Sequence, residues 1–434
     1  MNPCRAEDLV NVLHMSDFHY DSTRKGTDAK EHGDMLDACV KYLEQNKDEL
    51  KIKVVVLTGD IASSGSLADY EAFHAKFLQK VLDIFGLGLG SVLICPGNHD
   101  VSRGEITPEE DIITRSKNNV SPHTIKAAYS GVFNGLISYM RKYKYPCYRN
   151  GIDPSKDMAR DYLTYLYGYR QVEGLNFICL NSSWNCRNEK DERFEHDYGK
   201  LFLGREFVAD ALNQAPERHS DGDPEPVIIA ITHHPFFYDS SKPQEVLLSD
   251  KTDLFISNEY QWLDKSEVMD IPGEDGANTF RTIHQIERKV CVVLAGHLHK
   301  AVGPLVVGAR GTSGYIGGSL DSDVHDECSF QVLSIHRNTG EIKGHVHGCK
   351  KDKYPYVFSE GDDLGSPNLH EAVSVVNMIT LNLLSEHSQK MEQQIENPQQ
   401  EPIQRENQGI TPLRITIKDR AKSDANKAKK RHLL

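Results

Sequence analysis

Ile52-Lys53-Val54-Val55-Val56-Leu57-Thr58-Gly59-Asp60 is the stretch on which the fold class turns. Five of its first six residues are aliphatic, which reads as a strand covered on both faces, since a strand with one wet face would alternate. It stops abruptly at Gly59-Asp60. The same grammar recurs on either side. Upstream, Leu9-Val10-Asn11-Val12-Leu13-His14-Met15 runs into Ser16-Asp17-Phe18-His19, and residues 29–45 read as a helix. Downstream, a helix over about 67–85 leads to Ser91-Val92-Leu93-Ile94-Cys95, which ends at Pro96-Gly97-Asn98-His99-Asp100. Strands alternating with helices are βαβ units of a mainly parallel sheet.

Further strands are expected at 176–180, 226–232 and 290–295, with helices near 207–213 and 279–287. From 301 to 346 the pattern changes to short β-rich segments (302–307, 330–336, 341–346) and a turn at Asn338-Thr339-Gly340. These predict antiparallel strands that complete a second sheet. In open α/β sheets the functional crevice forms at the carboxyl ends of strands, where the loops diverge.

The chain has 434 residues, room for one large α/β domain with an insertion and a tail. Hydrophobic residues make up 38% and charged residues 26%, and no run approaches the roughly 18 apolar residues of a membrane helix. The first eight residues lack the apolar stretch of a secretory signal, so a cytoplasmic location is expected. Nine cysteines are scattered without a CxxC pair and read as reduced, mostly buried thiols. The net charge is −13, yet residues 414–434 hold eight Lys and Arg against two Asp. An acidic body of net −19 therefore carries a basic tail, and the charge argues against a whole surface built for nucleic acid.

Between Asp100 and Asn176 lies an insertion of about 75 residues that holds nine of the 18 tyrosines (129, 139, 143, 145, 148, 162, 165, 167 and 169). It reads either as a helical cap whose rings pack on the body or as a lid whose rings, with Arg141, Lys142, Lys144 and Arg149, meet a base or nucleotide. Near the other end, Ser366-Pro367 is a helix start, and Leu369, Ala372, Val376, Ile379 and Leu383 form one apolar stripe. Residues 391–408, rich in Gln, Glu and Pro, read as a flexible linker.

Five strand ends present, in order, Asp17-Phe18-His19, Gly59-Asp60, Gly97-Asn98-His99-Asp100, His233-His234-Pro235 and Gly296-His297-Leu298-His299. Each alone is an ordinary cap or surface feature. Together they bring carboxylates, an amide oxygen and at least four imidazoles to one sheet edge, the mixed shell that Mn²⁺, Fe or Zn²⁺ accepts. Gly59, Gly97 and Gly296 stand at the abrupt exits, where a backbone without Cβ can approach closely.

This set resembles the calcineurin-like metallophosphoesterase superfamily, whose motifs D-x-H, G-D, G-N-H-(D/E), H and G-H-x-H all stand here in order between about residues 9 and 300. The resemblance implies a four-layer αββα sandwich of two mixed β-sheets flanked by helices, here with a helical cap insertion and a C-terminal helix plus tail. The expected division is a metallophosphoesterase domain over 1–358 with its cap at 101–175, an amphipathic helix over 359–390, and a linker and basic tail over 391–434. It implies two divalent ions, Mn²⁺ first with Fe or Zn²⁺ as alternatives. Asp17, His19 and His299 would hold one and Asn98, His233 and His297 the other, with Asp60 as bridge. His99 would be catalytic, stabilising the pentacoordinate phosphorus or protonating the leaving oxygen, and Asp100 would hold it in the needed tautomer. Arg103 and His234 are candidates for substrate contact. His14, inside the first strand, reads as a core histidine or a donor behind the ligands.

Protein Ser/Thr phosphatases of this superfamily carry G-N-H-E and arginines after G-D; here Asp100 replaces Glu, and Ile61-Ala62-Ser63-Ser64-Gly65 follows Asp60. The text around 176–182 and 199–204, then His233-His234-Pro235, is similar to the branch that contains class III cyclic-nucleotide phosphodiesterases. The expected activity is hydrolysis of a nucleotide-like phosphodiester by a metal-activated hydroxide. The alternatives are a Mn²⁺-dependent DNA or RNA nuclease, and a phosphoesterase subunit that docks a partner protein through residues 360–434. No membrane partner is expected.

Overall fold

Val54 and Val56 cluster with Val10, Val12, Leu175, Phe177, Ile229 and Leu294, while Val55 and Leu57 cluster with Met35, Cys39, Phe73 and Phe77. The period-two alternation of one strand thus buries one side against a second sheet and the other against helices, which explains its unbroken apolar run. The computed structural model describes residues 8–102, 132–148, 162–184, 203, 205–217, 226–235, 289–307, 312–321, 327–350 and 352–364, together with Cys186 and Ile286.

The strands of the first sheet are β1 (Leu9–Met15), β2 (Ile52–Leu57), β3 (Val92–Ile94), β10 (Glu327–His336), β11 (Ile342–Lys350) and β12 (Ser359–Asp363). Their order is β12-β11-β10-β1-β2-β3. β1, β2 and β3 run parallel, whereas β10, β11 and β12 join antiparallel. The second sheet comprises β4 (Gly168–Val172), β5 (Leu175–Cys179), β6 (Ile228–Ile231), β7 (Val292–Ala295), β8 (Val302–Val307) and β9 (Thr312–Ile316). Their order is β4-β5-β6-β7-β9-β8. β5, β6, β7 and β9 are parallel, and β4 and β8 are antiparallel edges. Two mixed sheets with flanking helices are therefore present, as expected, but of the segments expected to complete the second sheet only β8 does so, while β10 and β11 pair onto β1 of the first.

Outside the first sheet pack α1 (Gly26–Gln45), α2 (Lys47–Leu50), α3 (Leu67–Phe73) and α4 (Gln79–Phe85), the last two joined by a π-helical turn at His74–Leu78. Ser66 caps α3 by accepting the Asp69 N–H at 3.2 Å. α5 (Asn134–Lys142) lies against α3, and α6 (Arg205–Gln214) lies against β4 and β5. The sheets are tied at their β3 and β4 edges. Arg170 of β4 donates to the carbonyls of Gly90 and Val92 at 2.8 and 2.7 Å, and the Tyr148 hydroxyl both receives from Ile94 N and donates to Ile94 O, at 2.7 and 2.6 Å.

Three boundaries differ from expectation. Residues 168–172, placed in the 101–175 insertion, are the β4 edge of the second sheet, because antiparallel pairing with β5 claims them. β9, not foreseen, is the strand Thr312-Ser313-Gly314-Tyr315-Ile316 between β7 and β8, whose small polar residues hide its burial. β12 extends the first sheet past residue 358, so 359–363 are strand rather than helix. Its Ser359, Glu360, Gly361 and Asp363 are exposed, and acidic residues suit an edge that faces water. The expected helix at 366–384, the linker, the basic tail and most of 279–287 lie outside the described residues. Among the described tyrosines of the insertion, 139, 145, 148, 165 and 169 are buried, and 143 and 167 pack on the core, which favours packing over a lid. Seven of the eight described cysteines are buried.

Candidate metal centre

Each expected ligand, and His99, lies just beyond the carboxyl end of a strand: Asp17 and His19 after β1, Asp60 after β2, Asn98 and His99 after β3, His233 after β6, His297 and His299 after β7. Five of them, Asp17, His19, Asp60, His297 and His299, have positive φ, at 55°, 43°, 52°, 72° and 57°. They are five of the eight such non-glycine residues among those described. Left-handed backbone costs on the order of 1–3 kcal/mol per residue and persists only where surroundings over-determine it. Here they do. Phe18 N and His19 N both donate to Asp60 O at 2.9 Å, Ser319 Oγ donates to Asp17 O at 2.9 Å, and Gly296 N donates to His233 O at 2.9 Å.

Two of the glycines are required by contact. A Cβ on Gly97 would collide with the Asp60 carboxylate, and one on Gly296 with Ser16 Oγ and, at 2.9 Å, with Asp17 Oδ2. Bare backbone at these positions is what lets the carboxylates reach the site.

His19 Nε2 and His299 Nε2 face each other at 3.2 Å, and His299 Nε2 is 3.2 Å from Asp17 Oδ1. Asp60 Oδ2 is 3.7 Å from His19 Nε2 and 3.4 Å from His233 Nε2, so one carboxylate touches both halves of the cluster. His233 Nε2 lies 2.9 Å from Asn98 Oδ1, and the His233 and His297 ring centroids are 5.2 Å apart. Ligand atoms of Asp17, His19 and His299 all lie within 4.8 Å of one another, as do those of Asp17, Asp60 and His233, and those of His233, His234 and His297.

The cluster fits a cation. Asp17 Oδ1 is buried and meets no well-aligned donor, its near neighbours being His299 Nε2 at 3.2 Å and His19 Nε2 at 3.9 Å, and a buried oxygen in that position is costly. Its surroundings supply only imidazole nitrogens and carboxylate oxygens, a donor set that suits a divalent ion. Burial would raise the Asp17 and Asp60 carboxyls; neighbouring imidazoles outweigh it, His299 and His233 holding Asp17 down and His233 and His19 holding Asp60 well down. Both carboxylates are thus kept ionised. Burial lowers His19, while His233, which burial would lower, is pushed up to about 10 by Asp60.

Expected roles meet the geometry unevenly. His99 is 4.5 Å from His19 by ring centroids, and its Nδ1 lies 3.2 Å from the Ser63 carbonyl, which fixes Nδ1 as the donor. Asp100 does not hold His99. Its carboxylate accepts from Gly97 N at 2.8 Å, Ala62 N at 3.1 Å and the Tyr70 hydroxyl at 2.9 Å, so it braces the loop between the Asp60 and Asn98 segments. His234 is buried, with Nδ1 2.8 Å from Ser182 Oγ. Arg103 lies outside the described residues. Sequence reasoning missed Ser63, Thr58, Ser182 and the Arg24–Asp321 pair at 3.3 Å. The first two act through backbone carbonyls, which leave no mark in a sequence.

A family profile described as calcineurin-like phosphoesterase matches residues 10–301. The uncharacterized metallophosphoesterase-like protein YydB of Bacillus subtilis (strain 168) is 25% identical over 250 residues, covering 57% of this chain and 47% of that protein. The chain thus spans about half the length of that curated relative. Among solved structures, a 5'-nucleotidase precursor from Thermus thermophilus is 11% identical with a TM-score of 0.35, over 89% of this chain and 60% of that one. Vacuolar Protein Sorting 29 from Cryptosporidium parvum is 11% identical with a TM-score of 0.28, over 82% of this chain and 98% of that one. Among the described residues no helix is long and apolar enough to cross a membrane.

Proposed function

The chain belongs to the calcineurin-like phosphoesterase family, and on that premise we propose that it is a metal-dependent phosphoesterase that hydrolyses a nucleotide-like phosphodiester. The observation that carries this reading is the convergence of two buried carboxylates and four imidazoles, with Asn98 and His99 beside them, from five strand ends. Asp17, His19 and His299 would hold one ion, Asn98, His233 and His297 the other, and Asp60 would bridge them. Manganese is the first choice, and iron or zinc also suit the donors. Bound there, two divalent ions supply activation of the attacking water and neutralisation of phosphoryl charge.

The remaining work falls to the protein. His99, whose Nδ1–H goes to the Ser63 carbonyl, would as an imidazolium give the proton on Nε2 to the leaving ester oxygen and be left neutral. Asp100 keeps the Asn98–His99 loop seated on the Asp60 loop. His234, anchored by Ser182, is a candidate for contact with a substrate oxygen. Asp100 in place of Glu and the absence of arginine over 61–65 favour a small diester over a phosphoprotein. The net −19 outside the basic tail works against a polyanionic strand.

Purified protein with Mn²⁺ is expected to cleave bis-(4-nitrophenyl) phosphate and to lose that turnover on chelation. Two bound ions with no turnover under any divalent metal would overturn the proposal. Labelled single- and double-stranded DNA and RNA at low salt form the second arm, and efficient cleavage there would redirect it to a nuclease.

A further inference from the structure

Resting on the reading that this cluster holds divalent ions, we propose that His14 is a positioning residue for the metal centre. Through Gln331 on one side and Thr58 on the other, it sets the tautomer and orientation of the ligand His233.

His14 lies on the same face of β1 as Val10 and Val12, pointing between the sheets, where an aliphatic residue would be the ordinary choice. An imidazole is fully buried there instead. Gln331 of β10 is its direct cross-strand partner. The Gln331 Nε2 donates to the carbonyls of Ile316 at 2.8 Å and Val302 at 3.2 Å, which uses both amide protons and fixes which way the amide points. Its Oε1 can therefore only accept, and it stands 3.1 Å from His14 Nδ1. The His14 proton is on Nδ1.

Nε2 of His14 is then a lone pair, and its neighbour at 3.0 Å, Thr58 Oγ1, must donate to it. That bond holds Thr58 at the point where β2 gives way to the Gly59-Asp60 loop. The Thr58 carbonyl accepts from His233 Nδ1 at 2.7 Å and from Ser16 Oγ at 3.1 Å. A His233 that donates through Nδ1 offers Nε2 to the site, where Asn98 Oδ1 and Asp60 Oδ2 lie at 2.9 and 3.4 Å. Thr58 Oγ1 also lies 3.5 Å from the Met15 carbonyl, but with the His14 proton on Nδ1 the shorter bond to Nε2 takes the hydroxyl hydrogen, and the chain runs from β8 and β9 carbonyls to a ligand nitrogen. Gly317 leaves the ring its room, since a Cβ there would lie 3.2 Å from His14 Nε2.

The test titrates Mn²⁺ calorimetrically into chelator-treated wild type, Thr58→Val, Thr58→Ser and Gln331→Leu. Partners that orient metal-bound histidines are worth about 10–100-fold in affinity. Thr58→Val and Gln331→Leu are expected to weaken Mn²⁺ binding within that range, and Thr58→Ser, which keeps the hydroxyl, to recover it. Equal affinity across folded variants overturns the inference. Two-bond ¹H–¹⁵N spectra of the wild type give a reading that does not depend on any variant folding: His14 as the Nδ1–H tautomer is expected, and Nε2–H overturns it. A wild type that takes up no Mn²⁺ rejects the underlying metal reading instead, and the spectrum still decides the tautomer.

Discussion

The rims of the two sheets meet at one cluster but bring different chemistry to it. The first sheet supplies all the oxygen donors, Asp17, Asp60 and Asn98, together with His19 and His99. The second supplies imidazoles alone, His233, His234, His297 and His299. Neither rim is self-sufficient. Without an ion, carboxylates from the first are held ionised by His299 and His233 from the second, and those histidines are raised in turn by Asp17 and Asp60. His19 adds to this from within the first sheet, but the larger contributions cross the sheet interface, which makes registration of the two sheets a condition for the site.

The largest effect expected from breaking this balance is at Asp60, which touches both halves. Asp60→Asn should lower kcat/KM by about a thousandfold or more, since metal-ion stabilisation of the transition state is worth several kcal/mol. Elemental analysis should show reduced metal content; full metal content with full activity would refute the bridging role. His99→Ala removes a proton carrier from the first rim and leaves the expected ligands alone. A fall of about 10²–10⁴-fold in kcat with metal content unchanged is expected.

A third test reads the packing behind the first rim. Burial holds both His14 and His347 down to about 4. The unfolded chain takes up protons at these histidines below about pH 6.5 while the folded chain does not. Their stabilising contribution is thus complete above pH 6.5 and is lost as the pH falls from there to 4. For the fully buried His14 the loss approaches about 3 kcal/mol, and denaturant midpoints across this window should show it, with a flatter profile in His14→Gln. Flat stability in the wild type would contradict the burial.

The smallest expected effect lies where the sheets are joined away from the site. Tyr148→Phe leaves Ile94 N and O without their shared hydroxyl and should cost about 1–3 kcal/mol of stability with kcat unchanged. A selective loss of kcat instead would return the tyrosines of the insertion to a role over the substrate.

Legibility followed the physics of each residue. β1, β2 and β3 were readable because strands buried on both faces cannot hide their apolar runs, and α6 was readable from its periodicity. β4 was lost inside the tyrosine-rich insertion, β9 behind small polar residues, and β12 behind the charges of a wet edge. The family resemblance implies that Asp100 holds His99. In space its oxygens are taken by Gly97, Ala62 and Tyr70, and the Ser63 carbonyl takes the imidazole proton.

By itself, the sequence determined the α/β class, the strand ends that carry the candidate ligands, and the small residues that let the chain turn there, because donor type and the absence of Cβ are properties of a residue. Only the tertiary structure decided which donors face one another, which carboxylate spans both halves and where the protons of His14, His99 and His233 reside. Those depend on distance and direction, and they are settled largely by backbone carbonyls, which every residue possesses alike.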